Sequence, residues 1–232
     1  MGATTRGEPD DYLALARAAV GDDASATERA HAAILAGILE GTHAPGAMLA
    51  EVALAEAIGV SRTPVRTALA RLQDDGWITI YPKRGAMVRG LVDRQVEDLM
   101  SARLVLESAS VDLADAATRA ALAARLERVL ATQRDHLGRG DLRAFIESTI
   151  AFHRSFVEAS GNSVLLELYD RLANRQRFVL YRDGERLQGR CEAIVAEHAA
   201  LIEGVRSGDG TGFAAALRDH LSETYKVPLR AE

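Results

Sequence analysis

The feature that most constrains the fold is the run at residues 51–77, EVALAEAIGVSRTPVRTALARLQDDGW, which has the pattern of two helices joined by a tight turn. Gly59 stands where the first helix must end and can adopt the left-handed backbone that a sharp helix end requires. Ser61 is placed to cap the second helix through its hydroxyl. Val65 and Leu69 recur at helical spacing, so one face of the second helix is buried and the other is exposed. The run predicts a helix-turn-helix.

The residues on either side of this motif extend it into a small domain. A helix is predicted before it, at about residues 27–40. After it, residues 77–81 have the composition of a strand, residues 82–85 that of a turn, and residues 86–88 that of a returning strand. A β-hairpin directly after the second helix of the motif is a wing, so this part of the chain is predicted to be a winged helix-turn-helix.

From about residue 94 onward the pattern is almost wholly helical, and glycines separate most of the Ala- and Leu-rich segments. Short connections between such segments favour an antiparallel bundle. Six helices are predicted, at about residues 94–117, 119–137, 141–160, 163–183, 188–207 and 210–226. The fold class is therefore mainly α, with an N-terminal winged helix-turn-helix and a C-terminal antiparallel six-helix bundle. The predicted organisation is a mobile tail at residues 1–25, the winged domain at 26–90, a linker at 91–93 and the helical domain at 94–232.

The distribution of charge indicates a polyanionic partner for the winged domain. The 232-residue chain has a net charge of −5, which taken alone argues against a nucleic-acid binder. Residues 61–90, however, have a balance of +4, whereas residues 1–60 have a balance of −6. A local basic patch on a helix-turn-helix is the electrostatic footprint of a protein that binds double-stranded DNA.

The candidate DNA-reading side chains lie at the start of the second helix of the motif and in the wing. Arg62 and Arg66 are one helical turn apart, so they share a face, and arginine can donate two hydrogen bonds to O6 and N7 of guanine. The competing interpretation, a basic helix face that is merely solvated, leaves the turn and the wing unexplained. The full set of candidates is Ser61, Arg62, Thr63, Arg66 and Thr67 on the helix, with Lys83, Arg84 and Gly85 in the wing.

Two further features concern the compartment. No apolar run approaches the roughly 20 residues that a membrane span needs, and the N-terminus has no signal-peptide core. The single cysteine, Cys191, has no partner for an internal disulfide and fits a reducing environment. The sequence therefore predicts a cytoplasmic protein with no membrane partner.

Both halves of the chain resemble a known family. Residues 45–76, and above all the string GVSRTPVR at 59–66, resemble the DNA-binding domain of the GntR regulators. The helical half resembles the FCD effector domain of the FadR-like subfamily, and six helices are typical of its shorter VanR-like branch. The residues that carry the second resemblance are Arg103, Glu107, Phe152, His153, Gly161, Asn162, Glu197, His198, Gly208, Asp209 and His220.

This resemblance implies a bacterial transcription regulator, by default a repressor. Such a protein binds a pseudo-palindromic operator as a homodimer and responds to a small organic acid. Arginines at positions 62 and 66 are DNA contacts in the family. The family often has a further DNA-contacting Arg after the Glu that matches Glu51, and here that position is Val52. We therefore expect the operator to differ from the family norm.

The resemblance also implies a divalent metal site. His153, His198 and His220 match its ligand positions and fall on three separate predicted helices, and imidazole suits ions of the Zn or Ni type. Thr149 stands where the family has an Asp ligand, and a hydroxyl is a poorer ligand than a carboxylate. Three histidines can still hold a metal with an open position, which a carboxylate effector would occupy. The alternative is a metal-free pocket in which the histidines bind an anion directly.

The candidate effector-binding residues are Arg103, Thr149, Asn174 and Arg175. Arg103 is suited to pair bidentately with an effector carboxylate, and its alternative partner is Glu107 at i+4. Two other functions compete with ligand-controlled regulation. One is a DNA-binding protein with a ligand-blind helical domain, which the change at Thr149 allows. The other is a metal-dependent enzyme, but the sequence places no carboxylate as its general base, and we predict no enzymatic activity.

Overall fold

The computed structural model describes residues 21 and 23–229, and the chain divides into two compact units between Gly90 and Leu91. Most of the predicted tail at residues 1–25 lies outside the described residues. We refer to the two units as unit 1, which ends at Gly90, and unit 2, which begins at Leu91.

Unit 1 combines helices with a small antiparallel sheet. Its described elements are α1 (Ala26–Leu39), β1 (Met48–Leu49), α2 (Glu51–Ile58), α3 (Arg62–Asp74), β2 (Ile78–Tyr81) and β3 (Gly85–Val88). The strand order is β1-β3-β2, with Met87 of β3 opposite both Met48 and Thr79. The predicted wing is confirmed as the β2–β3 hairpin. The two-residue strand β1, which the sequence analysis missed, adds a third strand to it.

The core of unit 1 lies between α1, α3 and the sheet. Ile34 and Ile38 of α1 and Val65 and Leu72 of α3 are all completely buried, as the apolar spacing of these helices predicts. Trp77, directly before β2, is 7% exposed. This packing fixes α3 by its inner face and leaves its outer face available to solvent.

The turn between α2 and α3 confirms one prediction and corrects another. Gly59 ends α2 in the left-handed conformation, with φ 75° and ψ 37°. Ser61 occupies the N-cap position of α3 with extended backbone, but its side chain makes no capping hydrogen bond. The predicted cap is therefore wrong. Ser61 is exposed, so water can take the place of the hydroxyl at the first-turn N–H groups.

Unit 2 is all-helical in the part that the structure describes. Its helices are α4 (Asp93–Leu113), α5 (Ala116–Gly138), α6 (Leu142–Glu158), α7 (Ser163–Arg182), α8 (Gly184–Gln188), α9 (Cys191–Ser207) and α10 (Gly210–Tyr225). The six long helices confirm the predicted bundle, and the five-residue α8 is an addition between α7 and α9. Side chains of Asp115, Asp141, Asn162 and Asp209 cap four of them.

The packing order of unit 2 brings polar residues into its centre. Helix α5 packs against α6 and α9, α9 against α10, and α10 against α4, while α4 also contacts α6 and α7. Phe145, Phe152, Phe156 and Phe213 form much of the apolar core. Among them lie the completely or almost completely buried polar side chains Arg103, Glu107, Gln133, Thr149, His153, Gln176, His198 and His220. Over residues 21 and 23–229, every helix is too short or too polar to cross a lipid bilayer.

Candidate DNA interface and candidate metal centre

The first candidate site is a groove in unit 1 between the start of α2, the start of α3 and the wing. Its volume is about 690 Å³. The side chains that line it include Glu51, Val52, Arg62, Arg66, Tyr81, Lys83 and Arg84. Thus the structure brings the helix arginines and the basic wing, which the sequence analysis selected separately, to one surface.

Arg62 and Arg66 share a single carboxylate in this groove. Glu51 accepts hydrogen bonds from Arg66 Nε at 3.3 Å and Nη2 at 3.0 Å, and from Arg62 Nη2 at 3.3 Å. The hydrogen bonds from Arg66 are the largest cause that lowers the pKa of Glu51 below its ordinary value. The two arginine side chains remain 60% and 66% exposed, so they are oriented by Glu51 but open to a partner.

The remaining helix candidates surround these arginines. Ser61, Thr63 and Thr67 are all exposed. The Thr67 hydroxyl donates to the Thr63 carbonyl oxygen at 3.2 Å, which leaves its oxygen as an acceptor. Because no side chain caps α3, its first N–H groups are available to bind a phosphate.

The tip of the wing is a tight turn with an unusual backbone. Lys83 has a positive φ of 64°, and Arg84 N–H donates to the Tyr81 carbonyl at 3.0 Å. Gly85 has φ 108°, and a Cβ there would lie 2.5 Å from the carbonyl oxygen of Leu49. Position 85 thus requires glycine because β1 passes close to it. The turn holds Lys83 and Arg84 exposed at the end of the hairpin.

The second candidate site is a cluster of three buried histidines in unit 2. His153 on α6, His198 on α9 and His220 on α10 each offer one nitrogen, and these atoms all lie within 4.8 Å of one another. His153 Nε2 and His220 Nε2 are 3.1 Å apart. His198 Nε2 is buried and has no hydrogen-bond partner. The three predicted ligands therefore converge, with their Nε2 atoms toward a common centre.

Each of these imidazoles is oriented by an acceptor on its other nitrogen. His153 Nδ1 lies 2.7 Å from Glu107 Oε2, and His220 Nδ1 lies 2.8 Å from Glu197 Oε2. His198 Nδ1 lies 2.8 Å from the amide oxygen of Gln133. When Nδ1 donates to such an acceptor, the lone pair on Nε2 is free to bind a cation.

The protonation state also suits a metal ligand. Burial is the largest cause that lowers the pKa of His153 and of His198 well below 6.5, and it also lowers the pKa of His220. Neutral imidazole is the form that binds a metal. Three neutral imidazoles with converging Nε2 atoms, one of them without any partner, fit a divalent ion of the Zn or Ni type.

Thr149, which the sequence analysis placed at a metal-ligand position, is hydrogen-bonded to the amide of Gln133. It is 3% exposed on α6, one turn before His153, and its hydroxyl oxygen accepts from Gln133 Nε2 at 3.4 Å. Gln133 in turn orients His198. Thr149 therefore connects to the histidine cluster through an amide.

Arg103 is part of a buried polar network. Of the two partners considered from the sequence, an effector carboxylate or Glu107, the structure shows Glu107. Its Nε donates to Glu107 Oε1 at 2.9 Å and its Nη1 to the Tyr225 hydroxyl at 3.3 Å. Burial is the largest influence and acts to lower the pKa of Arg103, but Glu107, Tyr169 and Tyr225 together outweigh it and raise the pKa above its ordinary value. Arg103 Nη2 is buried without a hydrogen-bond partner. Because Glu107 also holds His153, this arginine is linked to the histidine cluster.

Asn174 and Arg175 are both half-buried on α7. Asn174 Oδ1 accepts from Arg177 Nη1 at 2.7 Å, and the Arg177 guanidinium binds both carboxylate oxygens of Glu147 at 2.8 Å. Asn174 therefore belongs to an ion-pair group between α6 and α7. A role for Asn174 or Arg175 in effector binding stays a prediction.

The sequence analysis missed several residues of the buried network. Gln133 orients His198, and the Tyr169 hydroxyl donates to Glu107 Oε1 at 2.9 Å. One signal was available for Gln133, which follows Leu126 and Leu130 at the helical spacing of a buried face. A polar residue on such a face needs a hydrogen-bond partner in the core.

Comparison with known proteins identifies the family of both units. Residues 26–88 match the bacterial regulatory proteins of the gntR family, and residues 98–223 match the FCD domain. The chain belongs to the GntR family of transcription regulators and carries an FCD domain in its helical unit. It is a regulator and not an enzyme.

Individual relatives are also named as transcription regulators. An uncharacterized HTH-type transcriptional regulator of Streptomyces ambofaciens is 31% identical over 192 residues, which cover 78% of this chain and 76% of that protein. The HTH-type transcriptional repressor RspR of Escherichia coli is 27% identical over 180 residues, with 78% of each chain covered. A GntR regulator structure from Rhodococcus sp. RHA1 has a TM-score of 0.72 at 23% identity, and covers 86% of this chain and 95% of that one.

Proposed function

We propose that this regulator is a cytoplasmic repressor whose binding to operator DNA is controlled by a small organic acid in unit 2. The observation that carries the proposal is the buried cluster of His153, His198 and His220, each with an acceptor on Nδ1 and with Nε2 toward a shared centre. Such a cluster is expensive to bury in a domain without a ligand, because it leaves polar atoms without partners. Repression is supported by the relative named as a repressor in Escherichia coli.

On the DNA side, Arg62 and Arg66 are the proposed base readers. In the free protein both bind Glu51. In the major groove each would exchange this carboxylate for guanine O6 and N7, with Lys83 and Arg84 on phosphates or in the minor groove. Val52 is 48% exposed beside Glu51, and it offers only an apolar contact, for example to a thymine methyl.

On the ligand side, the three histidines are the residues that would hold a divalent ion, and a bound ion supplies open positions for a carboxylate oxygen. Glu107, Gln133 and Glu197 orient the imidazoles. The buried Nη2 of Arg103 is a second donor available to an anion. Arg103 and His153 share Glu107, so an anion that binds Arg103 would act on helices α4 and α6 together.

We also propose that the protein is a homodimer, because a pseudo-palindromic operator requires a two-fold protein. Support comes from large apolar side chains that are exposed on two neighbouring helices of unit 2. Val105 and Leu113 of α4 are 63% and 65% exposed, and Val164 and Leu168 of α7 are 63% and 48% exposed. The variant Val105→Glu should convert the dimer to a monomer in sedimentation velocity. The exposed Ala131→Glu on α5 is the control and should stay dimeric.

The test of the whole proposal begins with an operator duplex enriched from a random DNA pool. Purified protein is assayed for metal content, screened by thermal shift against small carboxylic acids with and without added Zn²⁺ or Ni²⁺, and titrated against the operator in a gel shift. The proposal expects an acid that raises the melting temperature and shifts the operator dissociation constant. Alanine at His153 and His198 should abolish both responses.

A second candidate function is a DNA-binding protein whose unit 2 is ligand-blind. The observation that favours it is Thr149, whose hydroxyl is already bound by Gln133 at 3.4 Å. If this function is correct, adding a carboxylic acid or a metal ion should leave the affinity for the operator unchanged. The same experiment therefore separates the two, since both share the DNA interface and differ only in the response.

A further inference from the structure

We propose that Gln133 is a positioning residue that sets the tautomer of His198, and that Thr149 acts on the metal centre through this amide. The inference rests on the metal site of the proposed function. It concerns the contact between Gln133 on α5 and Thr149 on α6, which the sequence analysis did not predict.

The geometry is a chain of two hydrogen bonds across three helices. Gln133, which is completely buried, has its amide oxygen 2.8 Å from Nδ1 of His198 on α9. Its amide nitrogen donates to the Thr149 hydroxyl oxygen on α6 at 3.4 Å. Phe152 stacks on the His198 ring with centroids 4.1 Å apart and an interplanar angle of 10°. Stacking on Phe152 therefore fixes the plane of the His198 ring, and the hydrogen bond to Gln133 fixes its rotation within that plane.

Gln133 differs in kind from the partners of the other two histidines. Glu107 and Glu197 can only accept when ionised, so His153 and His220 must carry a proton on Nδ1 to make these bonds. An amide can present either its oxygen or its NH₂ group. Among the three partners, only Gln133 therefore leaves the tautomer of its histidine undecided by its own chemistry.

The orientation of the amide decides whether His198 can bind a cation. With the oxygen toward Nδ1, the proton is on Nδ1, and the unpartnered Nε2 carries a lone pair toward the cluster. With the NH₂ group toward Nδ1, the proton must move to Nε2, where it blocks the cluster. In the first orientation the NH₂ group donates to the Thr149 hydroxyl oxygen, whereas the second would leave a buried Nε2–H of His198 without an acceptor, so the first is favoured. Thr149 is thus more than a lost carboxylate ligand.

The test compares three variants with the wild type. Gln133→Leu removes both amide contacts at similar size, Gln133→Glu keeps an acceptor toward Nδ1, and Thr149→Val removes the hydroxyl. Thr132→Val is the control, because Thr132 is the exposed neighbour of Gln133 on α5 and bonds only its own helix at Arg128. The first readout is the two-bond ¹⁵N–¹H correlation spectrum of the imidazoles in chelator-treated protein at neutral pH. The second is Zn²⁺ affinity by chelator competition, with Co²⁺ absorption as the signature of the coordination sphere.

The wild type and Thr132→Val should show His198 with its proton on Nδ1. Gln133→Leu should lose this single tautomer and bind Zn²⁺ about 10- to 100-fold more weakly, as for other residues that orient a metal ligand. Gln133→Glu should keep both the Nδ1–H tautomer and the wild-type Zn²⁺ affinity. Thr149→Val should give a mixture of tautomers. If Gln133→Leu and Thr149→Val both keep the Nδ1–H tautomer and the Zn²⁺ affinity, the proposal is overturned.

Two further outcomes stay decisive. If Gln133→Leu does not fold, then Thr149→Val decides the question, and a wild-type spectrum from it overturns the proposal. If the wild type binds neither Zn²⁺ nor Co²⁺, the metal site of the proposed function fails. The tautomer spectra then still test the relay, because they are recorded without metal.

Discussion

Two of the groups in which a glutamate binds arginine, one in each unit, differ sharply in burial. In unit 1, Glu51 binds Arg62 and Arg66, whose side chains are 60% and 66% exposed. In unit 2, Glu107 binds Arg103, and both side chains are completely buried. Water can replace the partner in the first group but not in the second. The exposed group can therefore exchange a carboxylate for DNA, whereas the buried group fixes the position of whatever is attached to it.

The largest effect is expected from removing the buried carboxylate. Glu107→Ala leaves Arg103 charged and unpaired in the core and also removes the acceptor of Tyr169 and His153. We expect a loss of about 3–5 kcal/mol in the free energy of unfolding of unit 2, measured in urea. The matched control is Glu51→Ala in unit 1, with an expected change below about 1 kcal/mol. Equal losses for the two variants would mean that burial does not separate these groups.

The next effect concerns pH and the buried histidines. The fold lowers the pKa of His153, His198 and His220 below 6.5, so the unfolded chain binds protons that the folded chain does not. The free energy of unfolding is therefore highest above about pH 6.5. It falls as the pH drops below this value, by up to about 1.4 kcal/mol per pH unit for each histidine. Urea denaturation of metal-free protein at pH 7.5 and 5.5 checks this. His198→Phe should make the dependence shallower, and a flat wild-type profile would contradict it.

A smaller effect is expected at the DNA interface. Arg66→Ala removes one proposed bidentate base contact and should weaken operator binding roughly 5- to 150-fold at fixed salt. Arg128→Ala, which removes an exposed arginine of unit 2, is the control and should bind like the wild type. An unchanged gel-shift titration for Arg66→Ala would remove this residue from the interface.

The smallest effect is expected from neutralising the exposed carboxylate. Glu51→Gln leaves the fold intact but releases Arg62 and Arg66 to bind phosphates. We expect binding to an unrelated duplex to tighten a few-fold, with a steeper dependence on salt of up to about 0.9 in log–log slope per added phosphate contact. Fluorescence anisotropy at several salt concentrations measures both quantities. Unchanged discrimination between operator and unrelated DNA would show that Glu51 has no part in specificity.

The sequence predicted best what depends on neighbouring residues. The turn at Gly59, the buried face of α3 and the wing all follow from spacing and turn chemistry within a few residues. Strand β1 was missed because two residues carry no period, and it forms only by pairing with β3 nearly 40 residues later. The cap at Ser61 was wrong because the hydroxyl has a solvent alternative.

The site in unit 2 shows the same division. Three histidines on three helices were predicted as a cluster, and the structure brings their nitrogens within 4.8 Å. The acceptors behind them depend on how distant helices pack. Gln133 and His198 are 65 residues apart in the chain, and no local pattern relates two such positions. Sequence reasoning therefore found the candidate ligands but not the residues that orient them.

Trp77 has a practical consequence for following this protein in solution. It is the single tryptophan of the chain, and it is buried in unit 1 directly before the wing. Its emission therefore reports the state of the DNA-binding unit, while the histidine cluster in unit 2 contains no such fluorophore. A change in that emission on adding an acid or a metal ion would be an optical measure of communication between the units, obtained without a label.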